Sequence, residues 1–307
     1  MEKKNKIKVI VNPASARGNT AKLWPELQKA LQQKIGKFDM DFTKRQGHAT
    51  EITRESLKQG YSWIISVGGD GTLNEVINGF FVGGKNIYSK ACFSVIGTGT
   101  GGDFKKSLQK LYDISDLLKR EGDSFIEKNI DVGRIVSPYG ERYFINITSI
   151  GMGGLVVELI NRDKILKIFG GKIAYYVYTL FTLLTFQNKV LSIVLDKNQI
   201  VNVPVKNMAV ANGRYQGGGM LMAPDADMED GLFDIIIFGD MGIWETLMLT
   251  GKIYTGEHIH HKKVQVFRAK IIDIKYKGHL PLDVDGEKFA STPALISVLP
   301  KSLKIRM

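Results

Sequence analysis

The chain has 307 residues, of which 44% are hydrophobic and 24% charged, so it is long and apolar enough for two folded domains. Its single cysteine, Cys92, excludes an intramolecular disulfide, fits a reducing compartment and, within an apolar run, is predicted to be buried. The net charge of +11 suits an anionic partner. Because the sequence has no nucleic-acid-binding motif, a membrane surface is favoured over nucleic acid as that partner. The alternative is that the charge only keeps the protein in solution.

Two segments bear on localisation. Residues 1–6 are charged but precede a strand-like run of only five residues, 7–11, so no secretory signal peptide is predicted. The apolar stretch 173–187 is shorter than the ~20 residues that a membrane-spanning helix needs. Residues 251–307 carry eleven Lys or Arg against five Asp or Glu. We therefore expect a cytoplasmic protein that associates peripherally with an anionic membrane surface.

Strand-like and helix-like patterns alternate in the first part of the chain. Repeated βα units favour a parallel, doubly wound sheet, in which ligands bind at the carboxyl ends of the strands. Three loops then share that edge, at residues 12–18, 68–72 and 97–103. The predicted strands are residues 7–11, 38–43, 63–67 and 91–96, and the predicted helices are residues 21–34, 49–59, 73–81 and one near Phe104.

The pattern changes near residue 125, where turn residues rather than helices join most strands, which predicts a mostly antiparallel β domain. We expect an α/β domain at residues 1–127 and a β-rich domain at residues 128–307, and the last ~15 residues could pack back on the first domain. The predicted strands are 130–136, 142–150, 190–195, 200–211, 233–238, 263–266, 271–276 and 295–299; the helices are 154–161, running on through 173–186, and 243–250.

The most informative loop is Gly68-Gly69-Asp70-Gly71-Thr72, between an apolar run and a helical pattern. Its glycines allow close backbone approach to a ligand, and Thr72 and Glu75 have the spacing of a capping box. A helix N-terminus behind a glycine loop favours phosphate, yet the Asp70 carboxylate repels phosphate unless a cation lies between them. The loop therefore indicates a metal–nucleotide complex, and the alternative is an ordinary structural turn.

The 97–103 loop formally matches G-x-G-x-x-G, but it follows a late strand and no acid-ended strand follows at the expected distance. Alone it is a weak indication of a dinucleotide. The three histidines His258, His260 and His261 lack the partner spacing of a zinc site and are predicted to lie in an exposed loop.

The 68–72 loop, with Asn74-Glu75 after it, resembles the nucleotide loop of the diacylglycerol kinase catalytic family. That family includes bacterial lipid kinases and the sphingosine and ceramide kinases, with NAD kinases as more distant relatives. Where the family has Asn before its Asp-Phe pair, this chain has Thr100-Gly101-Gly102. Further landmarks match in order along nearly the whole chain: Asn12-Pro13, Gly97-Thr98-Gly99, Asp103-Phe104, Pro224, Asp230-Gly231 and Asp285-Gly286-Glu287.

The resemblance implies an NAD kinase/diacylglycerol kinase-like fold, with a doubly wound α/β domain and a C-terminal β-sandwich-like domain. It implies ATP and Mg²⁺ as cofactors, Asp70 and Glu287 as catalytic residues, and Asp103 on the substrate side. Glu287 would accept the proton of the attacking hydroxyl, although Asp285-Gly-Glu287 by itself reads as a turn between strands. The implied nucleotide-binding residues are Asn12, Thr43, Gly68, Gly69, Asp70, Gly71, Thr72, Asn74 and Thr98.

Two further segments have a plain and a functional interpretation. By resemblance, the acidic segment 225–231 forms a magnesium site from the Asp230 side chain and the backbone carbonyls of Asp227 and Leu232; otherwise it is a solvated turn. Residues 173–186 are interpreted as core, although their aromatic residues could line a mouth for acyl chains.

By this resemblance, we expect an ATP-dependent kinase that transfers the γ-phosphate to a hydroxyl of a diacylglycerol-like lipid at the membrane surface. One alternative is a kinase of a soluble acceptor such as NAD or a sugar phosphate. The other is a non-catalytic lipid- or nucleotide-binding protein on the same fold. Homodimerisation stays open.

Overall fold

The computed structural model describes residues 6–98, 102–108, 125–163, 171–276 and 278–307. The chain forms two compact units. The first comprises Met1–Val132 with Leu299–Met307, and the second comprises Gly133–Val298.

Strands and helices alternate in the first unit, as the apolar runs and helical spacings predict. A 3₁₀ turn at Ser15–Gly18 precedes the first helix. The elements are β1 (Ile7–Val11), α1 (Asn19–Ile35), β2 (Asp39–Phe42), α2 (His48–Lys58), β3 (Trp63–Gly68), α3 (Asp70–Asn78), β4 (Phe81–Val82), β5 (Lys85–Asn86), β6 (Cys92–Gly97) and α4 (Asp103–Ser107).

The sheet of the first unit is parallel, in the order β6-β3-β1-β2. All five residues of β1 and all six of β3 are buried, which is the pattern of strands covered on both faces. The prediction of a doubly wound parallel sheet is confirmed. Lys304 and Ile305 extend it by pairing in parallel with Cys92 and Phe93 of β6.

Cys92 is 1% exposed and lies in the apolar cluster of this unit with the indole of Trp63, so its predicted burial is confirmed. Burial raises the pKa of its thiol to about 12, so it is an unreactive apolar side chain.

The second unit is mostly β-structure, joined by short turns. Its first strand, Glu127–Ser137, begins in the first unit, and its last strand, Ala294–Arg306, ends in the first unit. The elements are β7 (Glu127–Ser137), β8 (Gly140–Phe144), β9 (Ile147–Gly151), α5 (Met152–Arg162), α6 (Gly171–Thr185), β10 (Lys189–Leu195), β11 (Gln199–Val205), β12 (Asn207–Ala211), β13 (Tyr215–Gln216), β14 (Met220–Leu221), β15 (Phe233–Phe238), α7 (Ile243–Ile253), β16 (Val264–Ala269), β17 (Ile271–Lys275), β18 (Pro281–Val284), β19 (Glu287–Ser291) and β20 (Ala294–Arg306).

Two antiparallel layers enclose the core of this unit. One has the order β11-β10-β17-β20 and the other the order β16-β15-β12-β9-β18-β19. Alternate residues from both layers, such as Ile193, Ile274, Val210 and Ile235, form one buried cluster. This is the β-sandwich-like domain that the sequence predicts.

Two predicted strands were wrong in extent, because each divides into two. The segment 142–150 breaks at Ile145 and Asn146, whose backbone N–H groups donate to the Asp285 carboxylate instead of a strand ladder. The segment 200–211 breaks at Lys206, where the chain passes from one layer to the other. Periodicity does not distinguish a strand that changes sheets from one that continues.

The interpretation of residues 173–186 as core is wrong for α6, which exposes large apolar side chains including Tyr176 and Leu180. The predicted continuous helix is two helices, α5 and α6, and the connecting residues 164–170 lie outside the described part of the chain. Within the described residues, none of the helices combines the length and the apolar character needed to cross a membrane.

The histidine segment also differs from its prediction as an exposed loop, since His258 is buried. Its ring stacks on Phe238, its Nε2 lies 3.0 Å from the Met222 carbonyl oxygen, and burial lowers its pKa. His258 therefore packs as a core residue, whereas His260 is exposed.

Candidate active site

Four predicted nucleotide-binding residues lie at the carboxyl edge of the parallel sheet. Asn12 follows β1, Thr43 follows β2, Gly68 ends β3 and Thr98 follows β6. Backbone hydrogen bonds continue the sheet to this edge, from Asn12 N to the Val67 oxygen at 2.9 Å and from Thr98 N to the Gly68 oxygen at 3.0 Å. Thr43 N likewise donates to the Val11 oxygen at 2.9 Å. The topology thus brings together residues that are far apart in sequence.

Side-chain hydrogen bonds join the loops at this edge. Asn12 Nδ2 donates to Thr72 Oγ1 at 2.9 Å, while Asn12 Oδ1 accepts from Ala14 N at 3.1 Å. The hydroxyls of Thr98 and Thr20 lie 2.6 Å apart, and Thr20 also donates to the Ser15 carbonyl oxygen. These contacts order the loops that follow β1, β3 and β6 relative to one another.

The glycine loop leads directly from β3 into α3. Gly69, with extended backbone, precedes Asp70, the first residue of the helix. A Cβ added to Gly68 would lie 2.6 Å from Thr72 Oγ1, whereas one on Gly69 would come no closer than 3.5 Å to Ser15 Oγ. Gly68 is therefore required because the first turn of α3 packs against the end of β3.

The predicted capping box of α3 is wrong, because the helix begins two residues before Thr72 and has no side-chain cap. The Glu75 carboxylate instead accepts from the backbone N–H groups of Gly47 at 2.7 Å and Ala49 at 3.1 Å. Glu75 thus caps α2 and does not cap the start of its own helix, α3.

Asp70 and Asn74 lie in α3 with different exposure. Asp70 is partly exposed in the first turn, where a carboxylate interacts favourably with the helix dipole. Asn74 is fully buried, and Asn78 Nδ2 donates both to its carbonyl oxygen at 2.8 Å and to its Oδ1 at 3.2 Å. Asp70 is thus the residue of this pair that solvent reaches.

Asp103 begins the short helix α4 and is 7% exposed. Lys106 Nζ lies 4.0 Å from its Oδ1. Gly99 and the predicted insertion residues Thr100 and Gly101 lie outside the described residues, and Gly102 adopts a left-handed conformation at the N-cap of α4.

Glu287 lies in the second unit, at the first position of β19 and paired with Val284 of β18. Asp285 and Gly286 form the two-residue turn between these strands, with φ values of 50° and 81°. Left-handed backbone at both positions is the geometry for which Asp-Gly is favoured in tight hairpins. The prediction of a turn between strands is therefore confirmed.

The turn is anchored by Asp285. Its carboxylate accepts three backbone N–H groups, from Ile145 at 3.1 Å, Asn146 at 3.0 Å and Ile147 at 3.1 Å. These bonds fix the hairpin that carries Glu287 against the start of β9.

Asp283, two residues before the turn, was not identified from the sequence. It is fully buried, Oδ1 accepts from Gly286 N at 3.2 Å, and Oδ2 has no hydrogen-bond partner. Burial raises the pKa of this carboxyl from 3.8 to about 7. An alternating strand pattern signals which face a residue occupies, but it does not signal that a carboxyl on that face is enclosed.

Glu158 of α5 was also missed. Its buried carboxylate contacts Arg162 at 2.7 Å, Lys288 at 2.9 Å and His279 at 3.5 Å. Burial opposes its ionisation, but hydrogen bonds and charge from Lys288 and Arg162 hold its pKa below the usual value. The cluster ties α5 to β19 next to Glu287.

The predicted magnesium residues lie in one turn before β15. Asp227 Oδ1 accepts from Glu229 N and Asp230 Oδ1 from Leu232 N, both at 2.9 Å. The other oxygen of Asp230 pairs with the Arg268 guanidinium, whose Nε lies 3.6 Å from Asp234.

Arg268 therefore pairs with the carboxylate that the metal would use, so a cation at this turn would share Asp230 with the guanidinium. Among the described residues there is no group of three or more His, Cys, Asp or Glu side chains suited to a metal. The predicted magnesium site has one carboxylate and two backbone carbonyls, so it would not appear as a group of three such side chains. The site therefore stays a prediction.

Comparisons with known proteins agree with this geometry. Residues 6–135 match the diacylglycerol kinase catalytic domain, and residues 146–307 match the YegS C-terminal NAD kinase beta sandwich-like domain. The diacylglycerol kinase of Staphylococcus carnosus is 29% identical, over 98% of this chain and 95% of its own length. The diacylglycerol kinase of Staphylococcus aureus is 30% identical, over 95% of this chain and 89% of its own length. The crystal structure of a diacylglycerol kinase from Bacillus anthracis superposes with a TM-score of 0.74 at 25% identity, covering 98% of this chain and 96% of that one.

The fold and the matched domains define a phosphotransferase with an alcohol group as acceptor. The chain belongs to the diacylglycerol kinase family, with its catalytic domain followed by the YegS-type β-sandwich. The family implies use of ATP and a lipid substrate.

Proposed function

We propose that this protein transfers the γ-phosphate of ATP to the free hydroxyl of a diacylglycerol-like lipid at a membrane surface. The observation that carries the proposal is the convergence of Asn12, Gly68, Thr72 and Thr98 at one edge of the parallel sheet. Its lipid specificity is supported by full-length similarity to diacylglycerol kinases.

The nucleotide phosphates would bind at the start of α3. Backbone N–H groups of Gly69, Gly71 and Thr72 belong to the uncapped first turn and its entry, where the helix dipole favours anions. Asn12 orients the Thr72 hydroxyl, and the close packing of Gly68 keeps the loop in place. Thr43 and Thr98 would complete the nucleotide-binding side, whereas the buried Asn74 would support α3 from inside the domain.

Asp70 would orient the phosphate chain through a cation. Its carboxylate offers the hard oxygen donors that Mg²⁺ prefers, and the ion would neutralise the charge that develops during phosphoryl transfer. The predicted magnesium ligands Asp227, Asp230 and Leu232 belong to a different turn, in the second unit, where Arg268 pairs with Asp230.

Glu287 would act as general base. The acceptor oxygen forms a bond to the γ-phosphorus, the bond from that phosphorus to the β,γ-bridging oxygen breaks, and ADP departs. The hydroxyl proton passes to the Glu287 carboxylate. The hairpin anchored by Asp285 supports this role, since a base needs a fixed position to act at hydrogen-bond range. Asp103 would act on the acceptor side.

The proposal is tested with radiolabelled ATP and vesicles that contain diacylglycerol. We expect labelled phosphatidic acid from the wild type and at least a ~100-fold loss for Asp70→Asn and Glu287→Gln, since each change removes a charge and keeps the side-chain shape. Glu257→Gln, which changes an exposed acid in the same unit as Glu287, is the control. Full activity of either site variant, or labelling of NAD in place of lipid, would overturn the proposal.

A further inference from the structure

Helix α6 exposes the side that a helix of a folded domain normally buries. Its large apolar residues at helical spacing are between 44% and 69% exposed. The opposite side of the helix, with Ala174, Thr182 and Leu183, is the buried one. Such a stripe is the usual core-facing pattern of an amphipathic helix. The exposed stripe consists of Ile173, Tyr176, Val177, Leu180, Phe181 and Leu184.

Helix α7 contacts α6 and adds a second exposed apolar row. Trp244 is 78% and Met248 70% exposed, and Ile243 and Leu247 are also exposed. Tyr254 follows directly after the helix and is exposed as well. We call the exposed apolar residues of α6 and α7, together with Tyr254, the α6–α7 face. Large apolar patches on a protein surface mark interaction sites rather than ordinary solvated surface.

The charges of the two helices favour an anionic partner. Helix α6 contains no acidic residue, and the one acid of α7, Glu245, is neutralised by Lys263 at 2.6 Å. Lys252, in the last turn of α7, is exposed. The two helices thus keep the positive charge of Lys252 and contribute no unpaired carboxylate, which matches the headgroup layer of an anionic bilayer.

The aromatic residues point to the same occupant. Trp244, Tyr176 and Tyr254 combine an apolar ring with a polar N–H or O–H group, and such side chains favour the boundary between lipid chains and headgroups. The described helices do not span a membrane, so this face would lie on the bilayer.

We propose that the α6–α7 face inserts into the interface of an anionic phospholipid bilayer and so holds the protein where a membrane-borne acceptor resides. The choice of a bilayer over a second copy of the chain rests on the lipid acceptor of the proposed function and on the charge of the face. The binding step itself requires neither ATP nor turnover.

Trp244 reports on this step directly. The chain has three tryptophans, and Trp24 and Trp63 are 4% and 3% exposed, so Trp244 is the one that can change its environment on binding. With phosphatidylglycerol vesicles and no nucleotide, we expect a blue shift of tryptophan emission and quenching by brominated lipid. Trp244→Phe keeps the face apolar and should remove both signals while vesicle binding remains. An unchanged spectrum, or the same quenching in Trp244→Phe, would overturn the proposal.

Co-sedimentation measures the affinity without a spectroscopic signal. We expect Leu180→Ser combined with Trp244→Ser to bind these vesicles at least ~10-fold more weakly, because insertion scales with the apolar area of the face. Ile200→Ser, at an equally exposed apolar residue of β11, should bind like the wild type. Equal losses in both variants would contradict the proposal. Circular dichroism confirms that each variant is folded.

Activity on two acceptors separates this proposal from the proposed function. The double variant should lose phosphorylation of long-chain diacylglycerol in vesicles and keep phosphorylation of a short-chain, water-soluble diacylglycerol. Vesicle binding that depends on the face, without phosphorylation of either acceptor, would sink the kinase proposal alone. The wild type could instead be a dimer without lipid, with the double variant a monomer that binds vesicles as well as the wild type. In that case a second copy of the chain would cover the α6–α7 face, and this proposal would be wrong.

Discussion

Asn12 and Thr72 form a hydrogen bond of 2.9 Å between the loop after β1 and the first turn of α3. Both residues are predicted to contact the nucleotide, so each would depend on the other for its position. The bond crosses the carboxyl edge of the sheet, between strands that pair directly. Two residues that hold one another in position through a hydrogen bond reduce the loss of conformational freedom that accompanies ligand binding.

This pair predicts an energetic coupling. Asn12→Ala and Thr72→Val should each destabilise the protein, and the double variant should lose about 1 kcal/mol less than the sum, because one hydrogen bond is removed in all three. Denaturant unfolding of the four proteins measures this coupling. The affinity for ATP should fall in both single variants. Additive unfolding free energies would show that the bond does not contribute.

The glycines of the 68–72 loop predict unequal tolerance to a methyl group. Gly68→Ala places a Cβ 2.6 Å from Thr72 Oγ1, which forces the helix start away from β3, whereas at Gly69 the nearest atom is 3.5 Å away. We expect Gly68→Ala to lose stability and ATP affinity and Gly69→Ala to keep its melting temperature. Thr72→Ala in the Gly68→Ala background should restore part of the stability. Equal melting temperatures for the two glycine variants would refute the packing role of Gly68.

The buried carboxyl of Asp283 predicts a pH dependence of stability. Its pKa rises from 3.8 to about 7 on folding, so the folded protein retains a proton that the unfolded chain releases. The stabilisation associated with that proton is complete below the lower value and is lost as the pH rises through the higher one. Asp283→Asn stays neutral throughout, so its unfolding free energy should not fall in this way. The difference in unfolding free energy between the variant and the wild type should therefore shift in favour of the variant, by of order 1 kcal/mol or more, as the pH rises from about 5 to about 8.

Thermal unfolding at the two pH values measures this difference. Val284→Ala, which removes apolar side-chain atoms from the same strand but neither a titrating group nor a hydrogen-bonding side chain, is the control and should shift both melting temperatures alike. A wild type and Asp283→Asn that respond equally to pH would show that Asp283 ionises normally.

The Arg268–Asp230 pair predicts how this protein responds to a chelator. Because the guanidinium supplies the positive charge at the 225–232 turn, the melting temperature of the wild type should not change when EDTA replaces magnesium. Arg268→Ala leaves the carboxylates of Asp230 and Asp234 without that charge, so it should be less stable in EDTA and partly recover in millimolar magnesium.

Lys275→Ala, which removes the exposed partner of Asp273, is the matched control and should show little change in either buffer. A wild type that loses stability in EDTA would instead support the predicted magnesium ligands Asp227, Asp230 and Leu232.

The local pattern of the sequence determined most of the elements and their alternation along the chain. Strand β1 was predicted at its observed bounds, and β3 to within one residue, because a short, mostly apolar run favours a strand covered on both faces. The βα alternation then implied a parallel sheet. That implication alone placed the loops carrying Asn12, Gly68 and Thr98 at one edge.

The tertiary structure decided which partner each polar group finds. Glu75 has the spacing to cap its own helix, yet it accepts from Gly47 and Ala49, because α2 presents its free amides to that side of α3. Asp285 reads as a turn residue, yet its carboxylate holds three amides some 140 positions earlier in the chain. The spacing of residues identifies a donor or an acceptor, while its partner depends on contacts between distant segments.

The same distinction applies to α6. Its sequence specifies an apolar stripe, because residues three and four positions apart share one side of a helix. Whether the domain core or another apolar environment covers that stripe depends on how the helix is docked, and here the buried side is that of Ala174 and Leu183. Helical periodicity gives only the angles between side chains around the helix axis. Tertiary packing therefore determined whether the apolar side of α6 faces the domain core or the surface.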